Sequence, residues 1–153
     1  MPAGIGQPDI AGILQFDIAD VKVLEEGGIL PATVLPAGAK FTIEVDLLAK
    51  GQLSPLLVGD VLHVTYHVQN LETGAMSMLG SVQDVTVPNP PDSFSCTSGP
   101  FTTANTGGSG DLVIPSGYAS GTFRILTHIH HPDPARQSIV ASYQDELIIM
   151  VTE

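Results

Sequence analysis

Three stretches of this chain alternate apolar and polar residues one by one, and no stretch repeats the spacing of an amphipathic helix. In residues 40–47, Phe41, Ile43, Val45 and Leu47 are separated by Lys40, Thr42, Glu44 and Asp46. Residues 61–70 set Leu62, Val64, Tyr66 and Val68 against His63, Thr65, His67 and Gln69. Residues 122–131 set Phe123, Ile125 and Ile129 against Arg124, His128 and His130. Successive side chains on a strand point to opposite faces, so each stretch predicts a strand with one dry and one wet side. The 16 Gly and 12 Pro punctuate the chain every few residues, as short strands joined by turns require.

Further strands are predicted over residues 15–24, 81–87, 112–114 and 138–152. In the first, Phe16 and Ile18 are out of phase with Val21 and Val23, which predicts a bulge or a change of sheet near Ala19 and Asp20. Residues 88–111, rich in Pro, Ser, Thr and Gly, read as a long surface loop, and residues 1–14 as an N-terminal arm. No repeat of fixed period and no linker divides the 153 residues, so one domain is expected. The fold class is all-β: an antiparallel two-sheet sandwich of about seven to nine strands, with a jelly roll as the alternative.

The end of the chain runs Gly121-Thr-Phe-Arg-Ile-Leu-Thr-His-Ile, then a Pro/Asp turn, then an apolar strand to Thr152. It resembles the last hairpin of bacterial immunoglobulin-like modules, and residues 41–47 and 61–71, joined across a Gly59-Asp60 turn, resemble their middle strands. The resemblance spans roughly two thirds of the chain in pattern. It implies an immunoglobulin-like sandwich and a non-catalytic binding or spacer role.

Charge narrows the partners. With 16 acidic against 5 basic residues the formal net charge is −11. Five scattered cations make no stripe for phosphates, so nucleic acid is excluded as a partner, and an anionic membrane surface is disfavoured by the same repulsion. No apolar run reaches the length of a membrane span, so no insertion is expected. Cys96 is the only cysteine, so no internal disulfide forms, and the N-terminal residues show no signal peptide. A soluble protein is expected, and its compartment stays open.

The histidines are the chemistry-bearing feature. His63 and His67 share the wet face of one strand, His128 and His130 that of another, and His131 and Asp133 follow in the adjoining turn. Residues i and i+2 on a strand lie about 6–7 Å apart on one face, so His128 and His130 can converge on one ion, with a third ligand from a neighbouring strand. His63 and His67, about 13 Å apart, cannot both join them. Neutral imidazole suits a transition metal such as zinc or copper. Set against this is the plain reading, polar residues filling a wet strand face, under which no cofactor is expected.

Other sites lack parts. A metal cupin needs a Glu shortly after the second His, where Pro134 and Ala135 stand. In the stretch resembling its second motif, Pro115-Ser-Gly117, Ser120 replaces the His. Blue copper needs a His and a Met close after its Cys, but Cys96 is followed by Thr-Ser-Gly-Pro-Phe. No base lies near Cys96 in sequence, no Gly-x-Ser-x-Gly elbow is present, and no Asp-x-Asp-x-Asp-Gly calcium loop occurs. With Trp absent and aromatics at 5 %, a carbohydrate-stacking platform ranks last.

The terminal strand is apolar on both sides: Leu147, Ile149 and Val151 on one, Ile148 and Met150 on the other. Leu126 interrupts the wet face of the preceding strand in the same way. An exposed sheet face should be polar, so this pattern predicts a cover. The cover is either a subunit contact through Leu126, Ile148 and Met150, or the loop of residues 88–111 folding back. The reading that follows is a non-catalytic binding or assembly module that forms a homo-oligomer through its terminal hairpin. The alternative is a metal-binding sandwich, for storage or as a metalloenzyme, on His128, His130 and His63 or His67.

Overall fold

Alternation becomes ladder geometry in the computed structural model, which describes residues 14–106, 108–133 and 141–153. Its strands are β1 (Gln15–Glu25), β2 (Val34–Pro36), β3 (Lys40–Lys50), β4 (Val61–Asn70), β5 (Met76–Met78), β6 (Gln83–Thr86), β7 (Ser93–Ala104), β8 (Leu112–Val113), β9 (Ser120–His130) and β10 (Ala141–Thr152). The described residues thus hold ten strands, more than expected, because β2, β5 and β8 are only two or three residues long. One short 3-10 helix, Ser54–Leu57, bridges β3 and β4. No described helix is long and apolar enough to cross a membrane.

Two sheets form. The first has the order β1-β3-β7-β8; the second has the order β2-β10-β9-β4-β5, with β6 also pairing β4. The expected antiparallel pairing holds in the centre and fails at two margins, where β2 runs parallel to β10 and β8 parallel to β7. Both are short segments that follow a turn.

The inward sets of β3, β4 and β9 build the core: Phe41, Ile43, Val45 and Leu47 from one sheet, and Leu62, Val64, Tyr66, Ile125 and Ile129 from the other. Alternation on β3 and β9 is unbroken from end to end, so both are locked in register by burial. The phase slip in β1 is a bulge between Ile18 and Asp20, as the sequence indicates. It aims the Ile18 N–H at Ser142 Oγ on β10, 3.2 Å away, which ties the edge of one sheet to the other.

The stretch read as a long loop over residues 88–111 contains β7, a 12-residue strand paired with β3. Its inward residues, Cys96, Ser98, Phe101 and Thr103, are mostly small or polar and change phase at Gly99-Pro100, where the ladder with β3 slips. Gly99 has φ +118°, and a Cβ there would stand 3.1 Å from Phe41 O, so glycine alone fits this bulge. Because β7 belongs to the first sheet, it does not fold back over the terminal hairpin. Of the N-terminal arm, residues 1–13 lie outside the described residues, and Leu14 is buried.

Candidate functional site

The two outer faces differ in character. On the first sheet, Lys22 lies 3.2 Å from Glu44 and 3.4 Å from Asp46, and Asp17, Ser95 and Thr97 complete a polar, acidic surface. On the second, β4 and β9 present outward His63, Thr65, His67, Gln69, Thr122, Arg124, Leu126, His128 and His130, none of them a carboxylate.

Register places these residues in rows. His63 pairs with His130 across β4 and β9, Thr65 with His128, His67 with Leu126 and Gln69 with Arg124. On the far side of β9, Tyr143 pairs with His128, Ile148 with Arg124 and Met150 with Thr122. Val34 on β2 then pairs with Met150, and Met78 on β5 with His67. An apolar run therefore crosses the sheet from Leu126 through Ile148 and Met150 to Val34. Ile148 is 43 % exposed, Met150 39 % and Val34 53 %. Leu126 is half-buried. All three residues assigned to a subunit contact, Leu126, Ile148 and Met150, thus lie on one face. Met76 and Met78 are exposed, whereas Leu79 is buried.

Next to this run three imidazoles pack together. The His128 and His130 rings lie face to face, 4.9 Å between centroids and 19° between planes, and His63 meets His130 edge-on at 5.5 Å. His130 is the middle ring. Its Nδ1 is buried and has no hydrogen-bond partner, and burial, with the neighbouring His128 and His63, holds its pKa below the ordinary imidazole value. Asp84 of β6 stands 3.6 Å from His63 Nε2 at the cluster margin. His67 is not part of the group.

Metal ligation needs three donor atoms turned toward one point. Among the described residues, no three His, Cys, Asp or Glu side chains are arranged to hold an ion. Two of these rings instead stack on each other's faces, as neutral imidazoles can, so the expected convergence is ring on ring.

The fifth histidine has a different task. His131 is buried, and its Nε2 lies 3.1 Å from Asp60 Oδ2, while its Nδ1 accepts the Asp133 N–H at 3.0 Å. An accepting Nδ1 leaves the proton on Nε2, which donates to the carboxylate. This side chain pins the turn after β9 to the turn before β4. Its burial carries the inward phase of β9 one step beyond Ile129, and no signal in the sequence gives its partner.

Cys96 is buried on β7, with its thiol pKa pushed up by burial and Ser98 Oγ at 3.8 Å from Sγ. It is a core residue without the character of a nucleophile. An open cleft of about 250 Å³ at the β4–β5 end is lined by Val68, Asn70, Met76, Asp111 and Phe123. Its polar groups serve the fold: Asn70 Oδ1 accepts the Glu72 and Thr73 N–H groups, and Asp111 Oδ2 accepts the Thr102 N–H.

No family model matches the chain, and no curated protein matches it in sequence. Among solved structures it is similar to a β-glucuronidase from Bacteroides uniformis, with TM-score 0.42, 10 % identity and 85 % of this chain covered. It spans only 14 % of that enzyme's length. It is also similar to a Bordetella pertussis protein assigned as ApaA, with TM-score 0.36, 12 % identity, and 91 % of this chain and 92 % of the other covered. Likeness at this level says nothing of ligand or activity.

Proposed function

We propose that the protein is a non-catalytic assembly module of immunoglobulin-like design that self-associates through the outer face of its β9–β10 hairpin. The immunoglobulin-like reading is supported by strand order. The sequences β1-β3-β7 and β10-β9-β4 match the A-B-E and G-F-C orders of that architecture, and a jelly roll has eight strands in two Greek keys.

The observation that carries the self-association is the continuous apolar run of Leu126, Ile148, Met150 and Val34 on a face where β4 and β9 place no carboxylate. A chain with net charge −11 repels its own copy over most of its surface. Of the carboxylates nearest this face, Asp84 and Glu72, the latter bonded to the Thr122 N–H, stand at its margins, and Asp145 and Glu146 lie in the β10 bulge opposite Leu126. A second copy therefore meets no carboxylate from β4 or β9 here and covers Ile148, Met150 and Val34, each more than a third exposed.

Sedimentation velocity tests this. The wild-type chain runs as a dimer or larger species at neutral pH, and Ile148→Asp with Met150→Asp runs as a folded monomer. Thr97→Asp, on the opposite sheet, leaves the state unchanged. A monomeric wild type at high micromolar concentration overturns the reading.

A further inference from the structure

The stack of three imidazoles borders the apolar run directly, since Leu126 and His128 are neighbours on one face of β9 and His67 stands across from Leu126. A copy that covers the Leu126 end of the run therefore meets His128 at its edge. We infer that the His63–His128–His130 cluster makes self-association proton-sensitive: the assembled form persists while the rings are neutral and separates when they are protonated. This inference rests on the self-association proposed above.

The geometry supports it at three points. Two rings face each other at 4.9 Å, so charging both places like charges in contact distance. The middle ring has a buried Nδ1 with no acceptor to receive a proton's hydrogen bond, so a charge there is unpaired. The groups that face the cluster offer little compensation. From β6, Asp84 reaches His63 only, and from β10, Tyr143 stands across from His128. The exposed Asp145 and Glu146 lie in the β10 bulge opposite Leu126, one step along the face from His128 and farther from His130 and His63. Farther along β9 the charge is that of Arg124, itself positive. His131 and Asp60, next in the chain, are bonded to each other. In a two-fold contact each protonated cluster also enters an interface with the same charge on the partner copy.

The predicted direction opposes the bulk effect. Protonating the five histidines makes a chain of charge −11 less negative, which by itself favours association. Dissociation on mild acidification is thus a signature of the local cluster.

The test is sedimentation velocity of the full chain at pH 7.5 and pH 5.5 with chelator present, alongside His63→Gln/His128→Gln/His130→Gln, each sample checked for fold by far-UV circular dichroism. The expected result is a wild type at least tenfold weaker in association at the lower pH and a triple variant with the same association at both. A wild type assembled equally at both pH values overturns the proton switch and leaves the assembly standing. A wild type monomeric at both overturns the assembly and the switch together. If the triple variant does not fold, His128→Gln alone is read in its place, and an unchanged pH response in it overturns the inference. Assembly abolished by chelator at pH 7.5 and restored by added zinc also overturns it, by making the rings ligands.

Discussion

His63 on β4 stands directly across the ladder from His130 on β9, and the two rings meet edge-on at 5.5 Å. Burial lowers the His130 pKa from 6.5, with His128 and then His63 contributing in the same direction. A depressed histidine means that, as pH falls below 6.5, the unfolded chain takes up a proton the folded chain refuses. Stability is therefore lost in that window, and the loss is complete once the folded-state value is passed. The urea midpoint is expected to fall between pH 7 and pH 5, and His130→Gln to flatten that part of the profile. Proton NMR should show the His130 ring titrating below 6.5, and His128→Gln should move it upward. A His130 titration at or above 6.5 contradicts the stacked geometry.

Tyr66 crosses the core to the other sheet, and its hydroxyl lies 2.8 Å from Ser98 Oγ. Burial pushes the phenol pKa well above its ordinary value, so the group is a neutral hydrogen-bond partner at any physiological pH. Removing one member strands the other in a dry core. Tyr66→Phe and Ser98→Ala should each destabilise by about 1–2 kcal/mol. The double variant should lose less than the sum, since it leaves neither hydroxyl stranded. Urea denaturation of the four proteins measures the difference, and strict additivity counts against the bond.

The same environment silences Cys96. Its thiol is buried with a raised pKa, so little thiolate forms and reagents reach it only on opening. A disulfide reagent such as DTNB should label the native chain at least tenfold more slowly than the chain in 6 M guanidinium, a denaturing concentration of the usual order. Fast labelling in the native state contradicts this burial.

How much of this was legible depended on where polar residues sit. On β3, β4 and β9 the inward positions are large and apolar, so strand, face and extent could be read, and the β1 phase slip located its bulge. On β7 the inward Cys96, Ser98 and Thr103 are small or polar, and Gly99-Pro100 resets the phase, so twelve residues of strand resembled a loop. The histidines' faces followed from alternation alone. Their contact did not, because strand order decides whether β4 borders β9, and strand order is a property of the whole fold. The row of Leu126, Ile148 and Met150 was visible as a breach of wet-face polarity; its extension to Val34 needed the parallel β2–β10 pairing.

Thr127 is the one polar residue among the inward positions of β9 between Phe123 and Ile129, and it pairs across the ladder with Tyr66. Its side chain is fully buried and its Oγ1 has no hydrogen-bond partner. A hydroxyl moved from water into such a site forfeits its bonds to solvent without replacing them, at about 1–3 kcal/mol. Valine has nearly the same shape and no hydroxyl, and its β-branch suits a central strand. Thr127→Val should therefore stabilise the chain by about 1 kcal/mol, which for a domain of this size raises the melting temperature by roughly 2–4 °C. Thr127→Ala also removes the hydroxyl, but it vacates the methyl between Ile125 and Ile129 and should give back that gain. Differential scanning calorimetry of the three proteins separates the two effects. A valine variant that melts below the wild type would mean that the hydroxyl is satisfied in solution, by a water held between Thr127 and Tyr66.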